Sequence, residues 1–446
     1  MNIEITANNI VSGGKLLIKS LIIGLIVLIL LLPTFSVESL IKEREQRQRE
    51  AITEVSSKWA GNQNISGPVI VLPYWETDSL QKLRYKHYAY FLPDDLTINS
   101  EILPQQKYRG IYKVMLYSTN VNMSGSYTEI KPEKLSIAPE SILWNEAFIK
   151  INLGDIKGLN DELKMNWNDR VLSFTSQASE SKNSADGLVA PLNITSPNDL
   201  KNIKFSGNMN LNGSEKILFT PVGKSTTVKV HSTWPHPSFT GIILPQVSSI
   251  NNSGFSATWR SLAHKRRFPQ EWKDDAFYIN PAMAFQDNTG NNIINGSFGA
   301  DLFIPVNAYQ QTMRSVKYAV LCILLTFAAF FLIETTNKKF IHPFQYGLIG
   351  LALVLFYTLL LSFSEYIGFN YAYLVSSIAT IGLIGWFVRS ILTSSRLSIL
   401  LAFILTIIYG YIFTILQLQD YSLLLGSIGL FITLAIIMHF SKKIQW

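Results

Sequence analysis

Charge is scarce in this chain. Asp, Glu, Lys and Arg together make up 15% of its 446 residues, against roughly 25% in a typical soluble domain. With a mean hydropathy of +0.20, that deficit excludes an ordinary soluble protein. Cysteine is nearly absent: the lone Cys322 excludes an intrachain disulfide, and no Cys/His spacing of a zinc site occurs. Cys322 lies in an apolar run, where a small buried hydrophobe is the expected role. A Walker-type loop, GxSxG and HExxH are all missing, so a phosphate cradle, a nucleophile elbow and a zinc-protease helix lack support. His87, His231, His236, His264, His342 and His439 are scattered. The adjacent pairs Asp94-Asp95 and Asp274-Asp275 would point to opposite faces of a strand, poor geometry for a shared acid/base site. The expectation is a chain that is not an enzyme and holds no cofactor or metal.

Long apolar runs, in contrast, are plentiful. Crossing roughly 30 Å of hydrocarbon takes about 20 apolar residues, and six stretches qualify: Leu16–Phe35, then Val316–Ile333, Phe344–Phe363, Tyr371–Val388, Leu397–Ile415 and Tyr421–Phe440. Lys15 and Lys19, Lys338 and Lys339, Arg389 and Arg396, and Lys442 and Lys443 all fall on one side of these spans. The opposite short loops, Ser364–Asn370 and Gln417–Asp420, hold only Glu365 and Asp420. Positive loops stay in the cytoplasm. Both termini are therefore expected inside the inner (cytoplasmic) membrane and residues 36–315 in the periplasm. The head of the chain has a second reading. Lys15 and Lys19, an apolar core at Leu21–Leu32, and Thr34 and Ser36 also fit a signal peptide cleaved after Ser36. The length of the apolar run and its flanks favour an uncleaved anchor.

The expected organisation is a cytoplasmic N-terminus (1–15), one span (16–35), a periplasmic domain (36–315) and a five-helix bundle (316–446). Residues 36–315 carry 29 basic and 27 acidic residues. No large field of one sign forms there, so nucleic acid is not an expected partner. The bilayer is one, and an envelope protein or lipid is another candidate. Glu38–Trp59 reads as a helical stalk, with Glu38/Lys42, Glu43/Arg47 and Glu45/Arg49 spaced i,i+4. Beyond it the pattern changes to period two. Ile203, Phe205, Met209 and Leu211 alternate with polar residues, as do Val228 and Val230, Ile149, Ile151 and Leu153, and Phe255, Ala257 and Trp259. Such alternation means strands with one packed and one wet face. The fold class is a mixed membrane protein: six transmembrane helices plus a large, mostly antiparallel β-sandwich-like domain. Thr175–Asp186, rich in Ser, reads as an exposed loop.

Three features are candidates for function. In Trp234-Pro235-His236-Pro237-Ser238-Phe239 the two prolines remove backbone donors and enforce extended geometry around a histidine. Either the loop docks Trp234 and Phe239 onto the sheets or it displays a recognition surface. The basic run His264-Lys265-Arg266-Arg267 is either a solvated cluster or a contact for lipid phosphates. Glu334 and Glu365 are interfacial acids at span ends; Glu334 is i,i+4 to Lys338, its expected partner. With no ionisable residue near a span centre and no paired broken helices, an ion-coupled carrier is disfavoured. Gly-x-x-Gly at 382–385 and 426–429 predicts close helix packing.

Several segments match a known pattern in order from about Lys42 to the C-terminus: Gly67-Pro68-Val69-Ile70-Val71-Leu72-Pro73, then Trp234 to Phe239 with Gly241 and Leu244-Pro245, and Gly254-Phe255 with Trp259. In the membrane part they continue with Lys317-Tyr318-Ala319, Thr326-Phe327, Phe330-Phe331, Glu334, His342-Pro343 with Gln345-Tyr346, Ser364-Glu365 with Gly368-Phe369, and Asp420-Tyr421 with Leu423-Leu424-Leu425-Gly426. In these the chain resembles the CreD family of bacterial inner-membrane proteins, often called cell envelope integrity proteins. It departs from the family at Asn307, often Asp, and Tyr366, often His. The resemblance implies an inner-membrane protein linked to envelope integrity and, in some bacteria, to a two-component stress response; it supplies no catalytic residues. The leading expectation is a β domain that binds an envelope component. The alternative is a carrier passing a lipid or amphiphile between the helices and the β domain.

Overall fold

The computed structural model describes residues 2–77, 83–177, 187–279, 291–302, 304, 308–337, 341–392, 394–418 and 421–441; side chains are described from Ile18 in the first helix and only in part in the last. The chain divides into two compact units, Met1–Arg49 with Val306–Trp446, and Glu50–Pro305. The helices are α1 (Asn2–Trp59), α2 (Ala308–Lys317), α3 (Ala319–Thr336), α4 (Pro343–Ile367), α5 (Phe369–Leu392), α6 (Ser395–Gln417) and α7 (Ser422–Ser441). The strands are β1 (Gln63–Thr77), β2 (Arg84–Phe91), β3 (Asp95–Arg109), β4 (Tyr112–Glu129), β5 (Phe148–Asn152), β6 (Lys164–Trp167), β7 (Arg170–Ser173), β8 (Thr175–Gln177) and β9 (Gly187–Pro191). They continue with β10 (Lys201–Ser214), β11 (Lys216–Phe219), β12 (Ser225–Ser232), β13 (Pro237–Gly241), β14 (Val247–Asn251), β15 (Gly254–Leu262), β16 (Glu271–Lys273) and β17 (Phe298–Leu302).

In the β unit the alternating residues sort the strands into two sheets. One is ordered β13-β17-β11-β1-β5-β9-β8 with β2 and β16 attached through β1, the other β14-β15-β12-β3-β4-β10-β6-β7. Among the described residues most pairings are antiparallel, but β1–β11 and β12–β3 run parallel, so the sheets are mixed. Their apolar faces share one core containing Ile70, Ile98, Val121, Phe205, Val228, Trp259 and Phe298. Contacts between the two faces are specific. Trp259 of β15 stacks on Phe298 of β17 with centroids 5.8 Å apart, and the Tyr127 hydroxyl of β4 donates to the Pro68 carbonyl of β1 at 2.9 Å. The Tyr117 hydroxyl likewise donates to the Lys216 carbonyl at 2.7 Å. A buried phenol without such an acceptor would cost on the order of 1–3 kcal/mol. Of the expected Ser-rich loop, Thr175–Gln177 forms β8 and pairs with β9; residues 178–186 lie outside the described residues.

In the helical unit, five helices are long and apolar enough to cross a membrane: α1 from Ile18, α3, α4, α5 and α6. That is one N-terminal and four C-terminal spans. The sixth expected span coincides with α7, whose side chains are only partly described, so the described residues support five. α1 continues through Pro33 to Trp59 without a break, and Glu38–Lys42, Glu43–Arg47 and Glu45–Arg49 pair at 2.9, 2.6 and 3.2 Å. Phe356 of α4 meets Tyr373 of α5 and Tyr409 of α6 at 5.3 and 4.7 Å. Of the four glycines expected to permit close helix approach, Gly429 of α7 does so, its Cα lying against the Tyr411 ring of α6. A Cβ at Gly382, Gly385 or Gly426 would meet nothing within 4 Å, whereas Gly350 of α4 lies against Leu30 of α1 and Phe327 of α3. A small residue with no side chain lets two apolar helices come together there.

Candidate functional site

Glu334 stands near the C-terminal end of α3 and is buried. One carboxylate oxygen pairs with the Lys19 ammonium of α1 and accepts from the Ile341 backbone amide at 3.1 Å. The other accepts from the Tyr346 hydroxyl at 2.8 Å. Lys19 also donates to the Ile341 carbonyl at 2.8 Å. The local sequence explains this placement. His342 Nδ1 accepts from the Phe344 amide at 3.2 Å, while the Gln345 side chain accepts from the His342 amide at 3.0 Å. With Pro343 at the first helical position, these contacts form a capping box that starts α4. Tyr346 then falls one turn into the helix, its ring held edge-on by Phe327 at 5.5 Å. A carboxylate and an ammonium withdrawn from solvent need this degree of hydrogen bonding. The expected partner Lys338 lies outside the described residues. Among the described residues Glu334 is held by a lysine 315 positions away, a pairing that local spacing cannot reveal.

Glu365, near the C-terminal end of α4, accepts from the Tyr309 hydroxyl of α2 at 2.9 Å, and Arg44 of α1 approaches at 4.0 Å. Its side chain is 8% exposed, which makes it a buried, partnered acid. α2 was not anticipated as a separate helix, although Tyr309, Thr312 and Ser315 at i,i+3 spacing mark its buried face.

In the β unit, the Trp234 indole donates to the His236 carbonyl at 3.0 Å, and the two rings meet edge-on at 6.0 Å. Pro235 is half-buried and His236 is exposed. Pro237 opens β13, and Phe239 packs on Phe255 and Trp259 at 5.9 and 5.5 Å. Trp234 and Phe239 thus rest on the core while His236 is displayed. The basic run does not behave as one cluster. Arg266 turns inward and is buried, donating to the Val222 carbonyl at 2.6 Å and to Gln270 Oε1. Gln270 in turn donates to the Leu92 and Pro93 carbonyls at 2.8 Å each. Burial pulls the Arg266 guanidinium down to about 10, with Glu271 opposing. This arginine pins three chain segments and is a correction to both readings of the run at that position. Sequence reading also missed His87, whose Nδ1 lies 3.0 Å from Asp274 and whose Nε2 lies 3.8 Å from Glu76. The contact joins residues 187 positions apart in the chain. Among the described residues no cluster of three or more His, Cys, Asp or Glu is arranged to hold a metal.

The model of the family described as "Inner membrane protein CreD" matches residues 15–446. The chain belongs to the CreD family. Inner membrane protein CreD of Escherichia coli (strain K12) is 29% identical over 437 residues, covering 94% of this chain and 91% of that protein. With its apolar helices, membership in CreD makes the chain a multi-pass inner-membrane protein in a lipid bilayer. Two of the stretches that suggested CreD now have physical roles. Gln345-Tyr346 with His342-Pro343 builds the cap that aims a phenol at Glu334, and Ser364-Glu365 places the acid that Tyr309 holds.

Proposed function

We propose that the chain is a non-enzymatic inner-membrane protein that supports envelope integrity, its β unit binding a component of the envelope. Six helices, α1 and α3–α7, anchor it; both termini are cytoplasmic and residues 36–315 periplasmic. The observation that carries this reading is the use made of the two acids Glu334 and Glu365. Each is satisfied by residues of other elements, Lys19 and Tyr346 for one, Tyr309 and Arg44 for the other. Buried charges spent on holding helices together suit an anchor better than a translocation path. The Lys/Arg bias of the short loops supports the orientation. Extraction of the full-length chain directly into lipid nanodiscs, followed by native mass spectrometry, tests the proposal. A retained envelope component released by unfolding the β unit is the expected result; a chain with no added mass beyond bulk phospholipid argues against it.

One observation favours the carrier alternative. An apolar groove of about 620 Å³ lies among α3, α6 and α7, lined by Leu325, Ala329, Leu332, Ile404, Ile408 and Gly429. The apolar strand faces of the β unit, where cargo would be received, pack against each other. The same spectrum separates the readings: a stoichiometric lipid or amphiphile that leaves when Ala329→Trp fills the groove supports the carrier.

A further inference from the structure

The outward face of the eight-stranded sheet carries an unusual set of residues. Following the register across β12, β3, β4, β10 and β6, one transverse row reads Lys229, Asn99, Asn122, Asn208, Lys164. The row on one side reads Thr227, Thr97, Ser124, Ser206, Asn166, and on the other Glu101, Asn120 and Asn210 follow one another. Residues opposite one another in register share a face, and the alternate positions Ile98, Val121, Met123 and Met209 are in the core. Three rows dominated by amides and hydroxyls therefore lie side by side; Lys229 and Lys164 end one of them, and Glu101 stands in another opposite His231.

Asparagine is among the residues depleted in strands, so five of them at the centre of one face run against local preference, a pattern expected where function overrides folding. They are also ordered. Asn208 Nδ2 donates to Asn122 Oδ1 at 2.7 Å and to Asn120 Oδ1 at 3.0 Å, and Asn120 Nδ2 donates to Asn210 Oδ1 at 2.8 Å. Asn210 Nδ2 is held by Asp161 at 2.9 Å. Asn122 Nδ2 also donates to Asn120 Oδ1 at 2.9 Å and Asn120 Nδ2 to Asn208 Oδ1 at 3.3 Å. With two donor hydrogens and two lone pairs per amide, Asn120 is fully engaged and acts as the anchor, while Asn122 keeps a donor and a lone pair and Asn208 a lone pair for a ligand. A depression of about 610 Å³ is lined by Asn99, Asn122, Asn166 and Asn208 with Ser124 and Ser206; Glu162 and Lys164, which also line it, neutralise each other as an ion pair at 3.1 Å. At about 4.8 Å between strands, the five-strand row spans about 19 Å, room for several linked hexoses.

We infer that this face binds a neutral glycan chain. Side-chain amides present a donor and an acceptor in one plane, which complements adjacent hydroxyl and acetamido groups of a sugar. The field lacks what other ligands require. A polyanion needs clustered cations, a lipid tail needs apolar surface, and an added peptide strand needs an open edge, whereas β12, β3, β4, β10 and β6 are each paired on both sides. The inference rests on the proposed envelope-binding role of the β unit and names the chemistry bound.

The test uses full-length protein in nanodiscs titrated calorimetrically with chitotetraose and with cellotetraose. Saturable binding of either is expected. The triple variant Asn99→Thr, Asn122→Thr, Asn208→Thr removes three amides yet places a strand-favouring residue at each position. It should melt no lower than the parent and bind at least about tenfold more weakly. Ser206→Trp, which fills the depression and removes no amide, should also abolish binding. Failure of both sugars to bind, binding unchanged in both variants, or a protein or phospholipid found on this face in place of sugar overturns the inference. If the sugars fail while native mass spectrometry still shows a retained envelope component, the glycan assignment falls and the envelope-binding role stands.

Discussion

Replacing Lys19 by Met tests the clasp that joins α1, α3 and α4. The substitution preserves the length and apolar stem of the side chain and removes its charge. Lys19 and Glu334 side chains are 13% and 9% exposed, so the pair is shielded from solvent. At 4 Å and an effective dielectric near 20, opposite unit charges attract by about 4 kcal/mol. Removing one partner of a buried pair costs roughly 3–5 kcal/mol, because the other charge is stranded. Glu334 would keep the Tyr346 hydroxyl and the Ile341 amide, which places the expected loss for Lys19→Met near the lower end, about 3 kcal/mol. Glu334→Gln strands the Lys19 ammonium but should cost less, about 2 kcal/mol, since Lys19 keeps the Ile341 carbonyl and the amide still offers Tyr346 an acceptor. The double variant should be no worse than Lys19→Met alone, giving a coupling energy of about 2 kcal/mol in a double-mutant cycle. Reversible unfolding in mixed micelles, followed by tryptophan fluorescence, provides the four free energies. Additive losses, with coupling below about 0.5 kcal/mol, would refute the reasoning.

Two further predictions concern the β unit. Arg266→Met leaves the Val222 carbonyl and Gln270 without their charged donor, and should destabilise the unit by about 2–3 kcal/mol in denaturant unfolding; a change within about 0.5 kcal/mol, the ordinary surface range, contradicts it. Glu215 is held above its ordinary value of 4.5, chiefly by burial and then by Asp301, with Lys216 opposing. The folded state therefore holds this proton more tightly than the unfolded chain, and stability falls as pH rises from the unfolded value through the folded one. Glu215→Gln should raise the melting temperature at neutral pH, and the gain should vanish below about pH 4.5, where both states are protonated; a gain independent of pH would show that charge is not the cause.

Much of the fold was legible because periodicity reports faces and lengths. Ile203, Phe205, Met209 and Leu211 do point into the core from β10, and the apolar runs from Leu16 and from residue 316 do mark helices. Partners were not legible. Alternation gives the buried side of β3 and β12 but not their parallel pairing across more than a hundred residues, and it gives no hint that β1 meets β11. The same limit applies to single side chains. An i,i+4 neighbour of Glu334 is visible in sequence, whereas Lys19 becomes its partner only when α1 packs beside α3 and α4. Arg266 sits in a run of basic residues, and its inward turn depends on carbonyls at Pro221 and Val222 that need a donor. The asparagine rows, too, exist only once register sets Asn99, Asn122 and Asn208 side by side.

In the proposed topology the β unit works on the outer side of the inner membrane. Asn252, exposed in the turn between β14 and β15, can carry a single reporter in a Cys322→Ser background, since Cys322 is the chain's only cysteine and is buried. Cells with a permeabilised outer membrane and an intact inner one are treated with a membrane-impermeant maleimide, and labelling of Asn252→Cys is followed by mass shift. Full labelling is expected before the inner membrane is opened; labelling that appears only after it is breached would put the β unit on the cytoplasmic side and overturn the proposed topology.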